Sequence, residues 1–223
     1  MRLIVYPSRP ALMSGLADVI AQQLRAAIAA RGRATLSVPG GTTPGPVFDA
    51  LSQSDLDWAK VAVVLNDERW VPEDSPRSNT RLLRERLVQG RAAAAQVLPL
   101  YADAPAPEDC LADLAAGLQP FLPIDVLLVG MGADMHTASL FPGADLLSFG
   151  LAEDAPLLLP MRADAAGEPR ITLTAPALLG ARQCHVLITG AEKRRVIAQA
   201  EHLSPSDAPI ALVLPQATVH WAE

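Results

Sequence analysis

The chain has 223 residues, of which half are hydrophobic and 19% are charged, and its formal net charge at pH 7 is −6. This composition indicates a compact globular protein and excludes a disordered chain. No apolar run approaches the roughly 20 residues needed to cross a bilayer. The negative charge argues against nucleic-acid binding, which needs a positive face, but an anionic small molecule can still be bound by local donors.

The sequence shows no internal repeat, low-complexity segment or clear domain boundary, so one domain over residues 1–223 is expected. The apolar run at residues 1–7 is too short for the core of a signal peptide, and a cytoplasmic location is therefore expected. Cys110 and Cys184 lie far apart without a Cys-x-x-Cys partner. Neither a disulfide framework nor a zinc site is predicted, and both thiols are expected to be reduced and partly buried.

Strands and helices are predicted to alternate along the whole chain. Short apolar runs predict strands at residues 3–6, 34–38, 61–65, 97–100, 125–129, 157–160, 171–174 and 184–189. Apolar residues at helical spacing predict helices at residues 11–30, after residue 43, from Asn79 to about Leu87, at 108–118, at 176–179 and after Gly190. Residues 144–156 are left unassigned. This alternation predicts an α/β layered fold with a mostly parallel sheet and helices on both faces.

A glycine-rich loop follows the strand predicted at 34–38 and reads Pro39-Gly40-Gly41-Thr42-Thr43-Pro44. Thr43 is predicted to cap the next helix, with Pro44 in its first position. A Gly-Gly turn before a helix start favours anion binding, because free backbone N–H groups and the positive end of the helix dipole face the ligand. An ordinary strand-to-helix turn is the alternative.

The strand predicted at 125–129 ends in a second polar loop, Gly130-Met131-Gly132-Ala133-Asp134-Met135-His136. Ligands of open α/β sheets bind at the carboxyl ends of strands, so Asp134 and His136 are candidate catalytic residues. A purely structural histidine is the alternative. Met135 stands where a dinucleotide fingerprint needs its third glycine, and no nicotinamide cofactor is predicted.

Further charged residues lie at strand and helix ends. The strand at 61–65 leads into Asn66-Asp67-Glu68-Arg69-Trp70-Val71-Pro72, and three consecutive charges there indicate either a functional site or a solvated turn. Arg170 directly precedes the strand at 171–174. Lys193 lies in the first turn of a helix, where a cation opposes the helix dipole unless an anion is near. A solvated surface lysine is the alternative.

Four stretches together resemble the 6-phosphogluconolactonases, in the larger group that also holds the glucosamine-6-phosphate deaminases. They are the loop at 39–44, the run at 66–72, His136-Thr137-Ala138-Ser139-Leu140-Phe141-Pro142-Gly143, and Arg170-Ile171-Thr172-Leu173-Thr174 continued by Thr189-Gly190-Ala191-Glu192-Lys193. They span nearly the whole chain in the right order. The resemblance implies the Rossmann-like fold of the sugar-phosphate isomerase and deaminase group. It also implies hydrolysis of 6-phospho-D-glucono-1,5-lactone to 6-phospho-D-gluconate in the oxidative pentose phosphate pathway.

The resemblance also implies roles for individual residues. His136 would act as general base and then as general acid, since an imidazole with a pKa near ~6.5 exchanges protons at neutral pH. Asp67 and Asp134 would either orient His136 or bind substrate hydroxyls. The substrate- and phosphate-binding residues would be Gly40, Gly41, Thr42, Thr43, Arg69, Arg170 and Lys193. No metal or other cofactor is expected, because a lactone carbonyl is already electrophilic and no residues have ligand spacing.

The chain departs from the family pattern in one loop. Where the family usually has Gly-Glu-Asp-Gly-His, this sequence has Gly132-Ala133-Asp134-Met135-His136, and Met135 is strained if its position needs a positive φ. Two alternative functions remain. A non-catalytic sugar-phosphate-binding regulator is favoured by Ala133 and Met135. An isomerase or deaminase of the same fold is disfavoured, because the deaminases carry a carboxylate where this chain has Phe141. The expected partner is a phosphorylated sugar lactone, and neither nucleic acid nor a membrane is expected to bind. The protein is expected to be a monomer or a weak homo-oligomer.

Overall fold

The computed structural model describes residues 1–164 and 166–223. Its strands and α-helices are β1 (Arg2–Val5), α1 (Arg9–Arg31), β2 (Ala34–Val38), α2 (Gly45–Ser52), β3 (Val61–Leu65), β4 (Asp67–Arg69), α3 (Asn79–Arg86), β5 (Gln96–Leu98), α4 (Leu111–Leu118), β6 (Val126–Val129), α5 (Leu147–Gly150), β7 (Leu158–Met161), β8 (Arg170–Leu173), α6 (Ala175–Leu179), β9 (Cys184–Thr189), α7 (Gly190–Ala200) and β10 (Thr218–Ala222). Short 3₁₀ helices lie at Trp58–Lys60, Gly90–Ala94, Pro107–Asp109, Gln119–Phe121 and Pro209–Leu212. In the described part of the chain no helix is both long and apolar enough to cross a membrane.

A seven-stranded sheet forms the centre of the fold, in the order β1-β10-β9-β6-β2-β3-β5. All neighbouring strands in it run parallel. Every residue of β2, β3 and β6 is buried, which explains why β3 and β6 are continuous apolar runs instead of alternating ones. The expected α/β fold with a mostly parallel sheet is confirmed, and the carboxyl ends of its strands meet at one edge.

Local sequence signals set most element boundaries. β2, β3 and β9 have the predicted bounds. Helix α1 ends at Gly32, which adopts the left-handed conformation at φ 77° that glycine accepts without a steric penalty. Helix α3 begins after Ser78, whose hydroxyl accepts a hydrogen bond from the Arg81 N–H. The predicted cap at Thr43 is wrong: α2 begins at Gly45, Pro44 occupies the cap position, and no side chain forms a capping hydrogen bond.

A second sheet, which contains three antiparallel strands in the order β4-β8-β7, lies outside the first. Its strand β4 covers Asp67–Arg69, a segment that the sequence predicts as a charged loop. Strand β10, between β1 and β9, is also absent from the predicted elements. Residues 144–156, which the sequence left unassigned, contain α5.

Glu68 fixes β4 to the beginning of α3. Its side chain is buried and accepts hydrogen bonds from the backbone N–H groups of Arg69, Asn79 and Thr80, at 2.7 to 2.8 Å. The Ser78 and Thr80 hydroxyls donate to the same carboxylate. A buried carboxylate at a helix N-terminus is stabilised by such donors and by the helix dipole. Glu68 is therefore a structural residue that holds its neighbours Asp67 and Arg69 in position.

Candidate active site

A cavity of about 290 Å³ opens at the carboxyl edge of the large sheet, beside the small sheet. The predicted site residues that line it are Gly40, Gly41, Thr42, Thr43, Asp67, Arg69, His136, Arg170 and Lys193. Asp134 does not line the cavity but contacts it through His136. The structure therefore brings together residues from five separate segments of the chain, as expected for a ligand site at this edge of an α/β sheet.

The glycine-rich loop presents unpaired backbone donors to the cavity. Among the described residues, none accepts a hydrogen bond from the N–H groups of Gly40, Gly41, Thr42 or Thr43. Gly41 has φ 85°, a left-handed conformation in which glycine is unstrained. Because α2 begins immediately after this loop, its positive dipole end adds to the N–H groups. The loop thus has the backbone geometry of an anion site.

His136 and Asp134 form a hydrogen-bonded pair at the other side of the cavity. The Asp134 Oδ1 lies 2.5 Å from the His136 Nδ1 and also accepts from the His136 backbone N–H at 3.3 Å. A carboxylate at Nδ1 favours the neutral tautomer with its hydrogen on Nδ1. In that tautomer the Nε2 atom carries the lone pair and is the nitrogen able to accept a proton.

The backbone of the His136 loop turns sharply to form this pair. The Gly132 N–H donates to the His136 carbonyl at 2.9 Å, and the Met135 N–H donates to the Gly132 carbonyl at 3.2 Å. A Cβ on Gly132 would lie 2.1 Å from the His136 Nδ1 and 2.4 Å from the Asp134 Oδ1, so only glycine fits there. Met135 has φ 67°, the left-handed conformation in which a side chain is strained.

The small sheet presents four polar residues to one side. Arg69 lies directly opposite Arg170 in the β4–β8 ladder, and Asp67 lies opposite Thr172. Residues two apart on a strand share a face, so these four side chains project together. Glu68, between them in sequence, projects to the opposite side. Opposed like charges destabilise a sheet unless a counter-charge is near.

The two arginines have unused donors. The Nε atoms of Arg69 and Arg170 are buried without a hydrogen-bond partner among the described residues. The Arg170 guanidinium lies 3.6 Å from the Asp67 carboxylate and 3.9 Å from that of Glu168, too far for hydrogen bonds. Burial lowers the pKa of Arg170, and the charges of Arg69 and Arg77 act in the same direction, against Asp67 and Glu168. An anionic ligand would offset this effect.

Asp67 differs from Asp134 in its contacts. Its Oδ2 accepts a hydrogen bond of 2.6 Å from the Ser139 hydroxyl, and the Ser139 N–H donates to the Thr172 hydroxyl at 3.1 Å. No described residue donates a hydrogen bond to the Asp67 Oδ1. Asp134, in contrast, holds the His136 ring. One carboxylate thus orients the imidazole while the other keeps an unused acceptor at the cavity.

Lys193 reaches the same cavity from α7. Its Nζ donates to the Met131 carbonyl at 3.0 Å, in the loop that also carries His136. Burial lowers the pKa of Lys193, while the charges of Glu192 and Asp134 oppose that shift. The ammonium group is thus held at the cavity wall instead of in open solvent.

Sequence reasoning missed Asn79 and Ser139 as site residues. Asn79 lines the cavity and is buried, but its sequence signal, Ser-Asn before a helix, indicates only a helix start. Ser139 lies within the stretch that carries the family resemblance, three residues after His136. Its contact with Asp67 joins positions 72 residues apart. Such a long-range contact has no local pattern.

The fold and the cavity define an α/β protein with a glycine-rich loop of unpaired backbone N–H groups and a His–Asp pair at the carboxyl edge of a parallel sheet. The family model described as "Glucosamine-6-phosphate isomerases/6-phosphogluconolactonase" matches residues 7–221. The chain belongs to this family.

Relatives and solved structures agree over the full length. The chain is 42% identical to a protein of Rhizobium meliloti named 6-phosphogluconolactonase, covering 98% of this chain and 97% of the relative. It is 45% identical to a Mesorhizobium japonicum protein of the same name, covering 97% and 93%. A crystal structure of a 6-phosphogluconolactonase from Shewanella baltica superposes with a TM-score of 0.97 at 37% identity, covering 100% of this chain and 98% of that one.

Proposed function

We propose that this chain is a lactone hydrolase that converts 6-phospho-D-glucono-1,5-lactone to 6-phospho-D-gluconate. The observation that carries the proposal is that His136, which is paired with Asp134, and residues 40–43 with their unpaired N–H groups line one cavity. A base and an anion site in one cavity suit an ester that bears a phosphate group. Full-length similarity to proteins named 6-phosphogluconolactonase supports the hydrolase class and the substrate.

His136 moves the proton in both steps of the reaction. Its Nε2 accepts a proton from water as the water oxygen bonds to the lactone carbonyl carbon. The tetrahedral intermediate then collapses, the bond from that carbon to the ring oxygen breaks, and the Nε2 proton passes to the departing ring oxygen. Asp134 keeps the ring oriented and stabilises the imidazolium between the steps. No metal or redox group takes part in these steps.

The phosphate and the carbonyl are bound by different groups. The backbone N–H groups and threonine hydroxyls of residues 40–43 bind the phosphate, with Arg170 and Lys193 as cationic partners. Arg69, whose Nε has no partner among the described residues, stabilises negative charge on the carbonyl oxygen. The unused Oδ1 of Asp67 accepts a hydrogen bond from a sugar hydroxyl.

The deaminase alternative is not favoured by the geometry near the imidazole. Phe141 occupies the position at which the deaminases carry a carboxylate, and its ring centroid lies 4.4 Å from that of His136. A phenyl ring cannot transfer a proton. Amine loss would therefore lack an acid–base partner at this place.

The experiment generates the lactone in situ at slightly acidic pH, where spontaneous hydrolysis is slow, and follows its loss with wild type and His136→Ala. Acceleration by wild type but not by folded His136→Ala supports the proposal. The matched control is His202→Ala, because His202 is exposed and does not line the cavity. Saturable binding of 6-phosphogluconate by a folded wild type that does not accelerate hydrolysis would instead identify a binding protein.

A further inference from the structure

Asn79 lies between the glycine-rich loop and β4, and it has no role in the proposed proton transfers or in substrate binding. It is the first residue of α3 and is only 3% exposed. Its Nδ2 donates a hydrogen bond of 3.0 Å to the Asp67 carbonyl. Since a carbonyl only accepts, this bond fixes the amide, with its nitrogen on β4 and its Oδ1 on the other side.

The other side of the Asn79 amide lies against the glycine-rich loop. A Cβ built on Gly40 would lie 2.0 Å from the Asn79 Oδ1, 2.2 Å from its Cγ and 2.5 Å from its Nδ2. Gly40 lacks the positive φ of Gly41, so its backbone conformation is open to any residue. The close approach of the Asn79 amide therefore requires glycine at position 40.

The backbone of Asn79 is also held in place. Its backbone N–H donates to the buried Glu68 carboxylate at 2.8 Å, and Glu68 also accepts from the Arg69 N–H. Asn79 thus connects the glycine-rich loop at residues 39–44 to β4, the strand that carries Asp67 and Arg69.

We propose that Asn79 is a positioning residue that determines specificity: it sets the distance between the anion loop and β4, so that a phosphate bound at the loop places the lactone against Asp67 and His136. This inference rests on the proposed function. Binding energy from a remote phosphate accelerates a reaction only when the bound molecule is held in the reactive geometry. A lactone without phosphate gains nothing from the same spacing.

The test measures kcat/KM for 6-phosphogluconolactone and for unphosphorylated glucono-1,5-lactone. In Asn79→Ala we expect a loss of about 100-fold for the phosphorylated lactone and of less than about threefold for the other. The control is Thr80→Val. It removes a hydroxyl that donates to Glu68 and so anchors α3, but Thr80 does not line the cavity. It lowers the melting temperature and leaves the ratio of the two kcat/KM values unchanged. A wild-type ratio in folded Asn79→Ala overturns the inference.

Gly40→Ala examines the same contact from the loop. The three nearest neighbours of its new methyl group are all atoms of the Asn79 amide, so Gly40→Ala alone lowers the ratio. Gly40→Ala combined with Asn79→Ala has a higher kcat/KM for the phosphorylated lactone than Gly40→Ala alone. If the losses of kcat/KM from the two single substitutions simply add in the double variant, the inference is contradicted. This comparison remains decisive even when Asn79→Ala is poorly folded.

A binding measurement distinguishes failure of the proposed function from failure of this inference. If folded wild type hydrolyses neither lactone, the dissociation constants of 6-phosphogluconate and gluconate replace the rates. Asn79→Ala must then reduce the preference for 6-phosphogluconate by at least tenfold, and an unchanged preference overturns the inference.

Discussion

Arg69 and Arg170 are direct cross-strand partners in the β4–β8 ladder, and both line the cavity. Two like charges at opposed positions repel each other, and the Asp67 carboxylate, 3.6 Å from the Arg170 guanidinium, counters that repulsion. The arrangement favours an anionic ligand, because negative charge beside either guanidinium reduces the repulsion and can accept a hydrogen bond from its buried Nε.

Loss of one of these charges is expected to reduce product-dependent stabilisation. At a concentration of 100 times its Kd, 6-phosphogluconate should raise the unfolding free energy of wild type by about 2.7 kcal/mol. In Arg170→Gln we expect the Kd to rise at least about tenfold, since a charge-assisted hydrogen bond contributes about 1.5–3 kcal/mol. Thermal unfolding with and without 6-phosphogluconate measures this. Arg84→Gln is the control, since Arg84 pairs with Glu73 outside the cavity, and an equal effect there would contradict the prediction.

Asp134→Asn should impair the chemical step and spare binding. An amide at this position presents either its nitrogen or its oxygen to the His136 Nδ1, and it does not stabilise the imidazolium. We expect kcat for the lactone to fall by about 10²–10⁴ and KM to change by less than about threefold. Initial rates at slightly acidic pH measure both. Asp154→Asn, at an exposed position, is the control. A rise in KM with unchanged kcat would instead make Asp134 a substrate-binding residue.

The parts of the fold that the sequence predicted are those set by local chemistry. β2, β3 and β9 are almost entirely buried, and the polar residues, proline or glycine on either side of each strand mark its limits. The ends of α1 and α3 follow from a left-handed glycine and a serine cap. Such features depend on a few neighbouring residues and need no knowledge of distant contacts.

The elements that the sequence did not predict depend on residues that are distant along the chain. β4 consists of Asp67, Glu68 and Arg69, a pattern typical of loops, and it forms a strand because β8 pairs with it and α3 supplies donors to Glu68. β10 is placed by β1 and β9. The site shows the same limit: the sequence predicted the cavity residues at strand ends, but the contacts of Asn79 and Ser139 join segments that are distant in sequence.

Met135 is expected to tolerate glycine better than a β-branched residue. The left-handed conformation at φ 67° costs a side chain about 1–2 kcal/mol, which Met135→Gly removes. The greater entropy of unfolded glycine, about 0.4–1 kcal/mol, and the lost packing of the partly buried methionine oppose that gain. The unfolding free energy should therefore stay within about 1 kcal/mol of wild type, with lactone turnover retained. Met135→Val should lose more, and chemical denaturation of both variants measures the difference. A larger loss for glycine than for valine would show that side-chain packing outweighs backbone strain.

A buried hydrogen-bond chain, none of whose four residues lines the cavity, contains two histidines. The Tyr6 hydroxyl lies 2.9 Å from the His220 Nδ1, the His220 Nε2 lies 2.9 Å from the His185 Nδ1, and the His185 Nε2 lies 2.8 Å from the Gln23 Oε1. Burial lowers the pKa of His185 to about 4. Burial, together with the charges of His185 and Arg2, lowers the pKa of His220 to about 3.

These shifts predict that stability falls on the acid side of neutrality. Unfolded histidine takes up a proton near pH ~6.5, whereas the folded chain does so only near pH 4 and 3, so between these values the unfolded state binds more protons. The unfolding free energy should be unaffected by this pair above pH ~6.5 and fall below it by about 1.4 kcal/mol per pH unit for each histidine, until the folded pKa is reached. Urea denaturation from pH 7.5 to 4.5 measures the slope. In His220→Gln the slope from the pair should be roughly halved, and in His202→Gln, at an exposed position, it should equal that of wild type. An unfolding free energy of wild type that does not change between pH 6.5 and 4.5 would contradict the prediction.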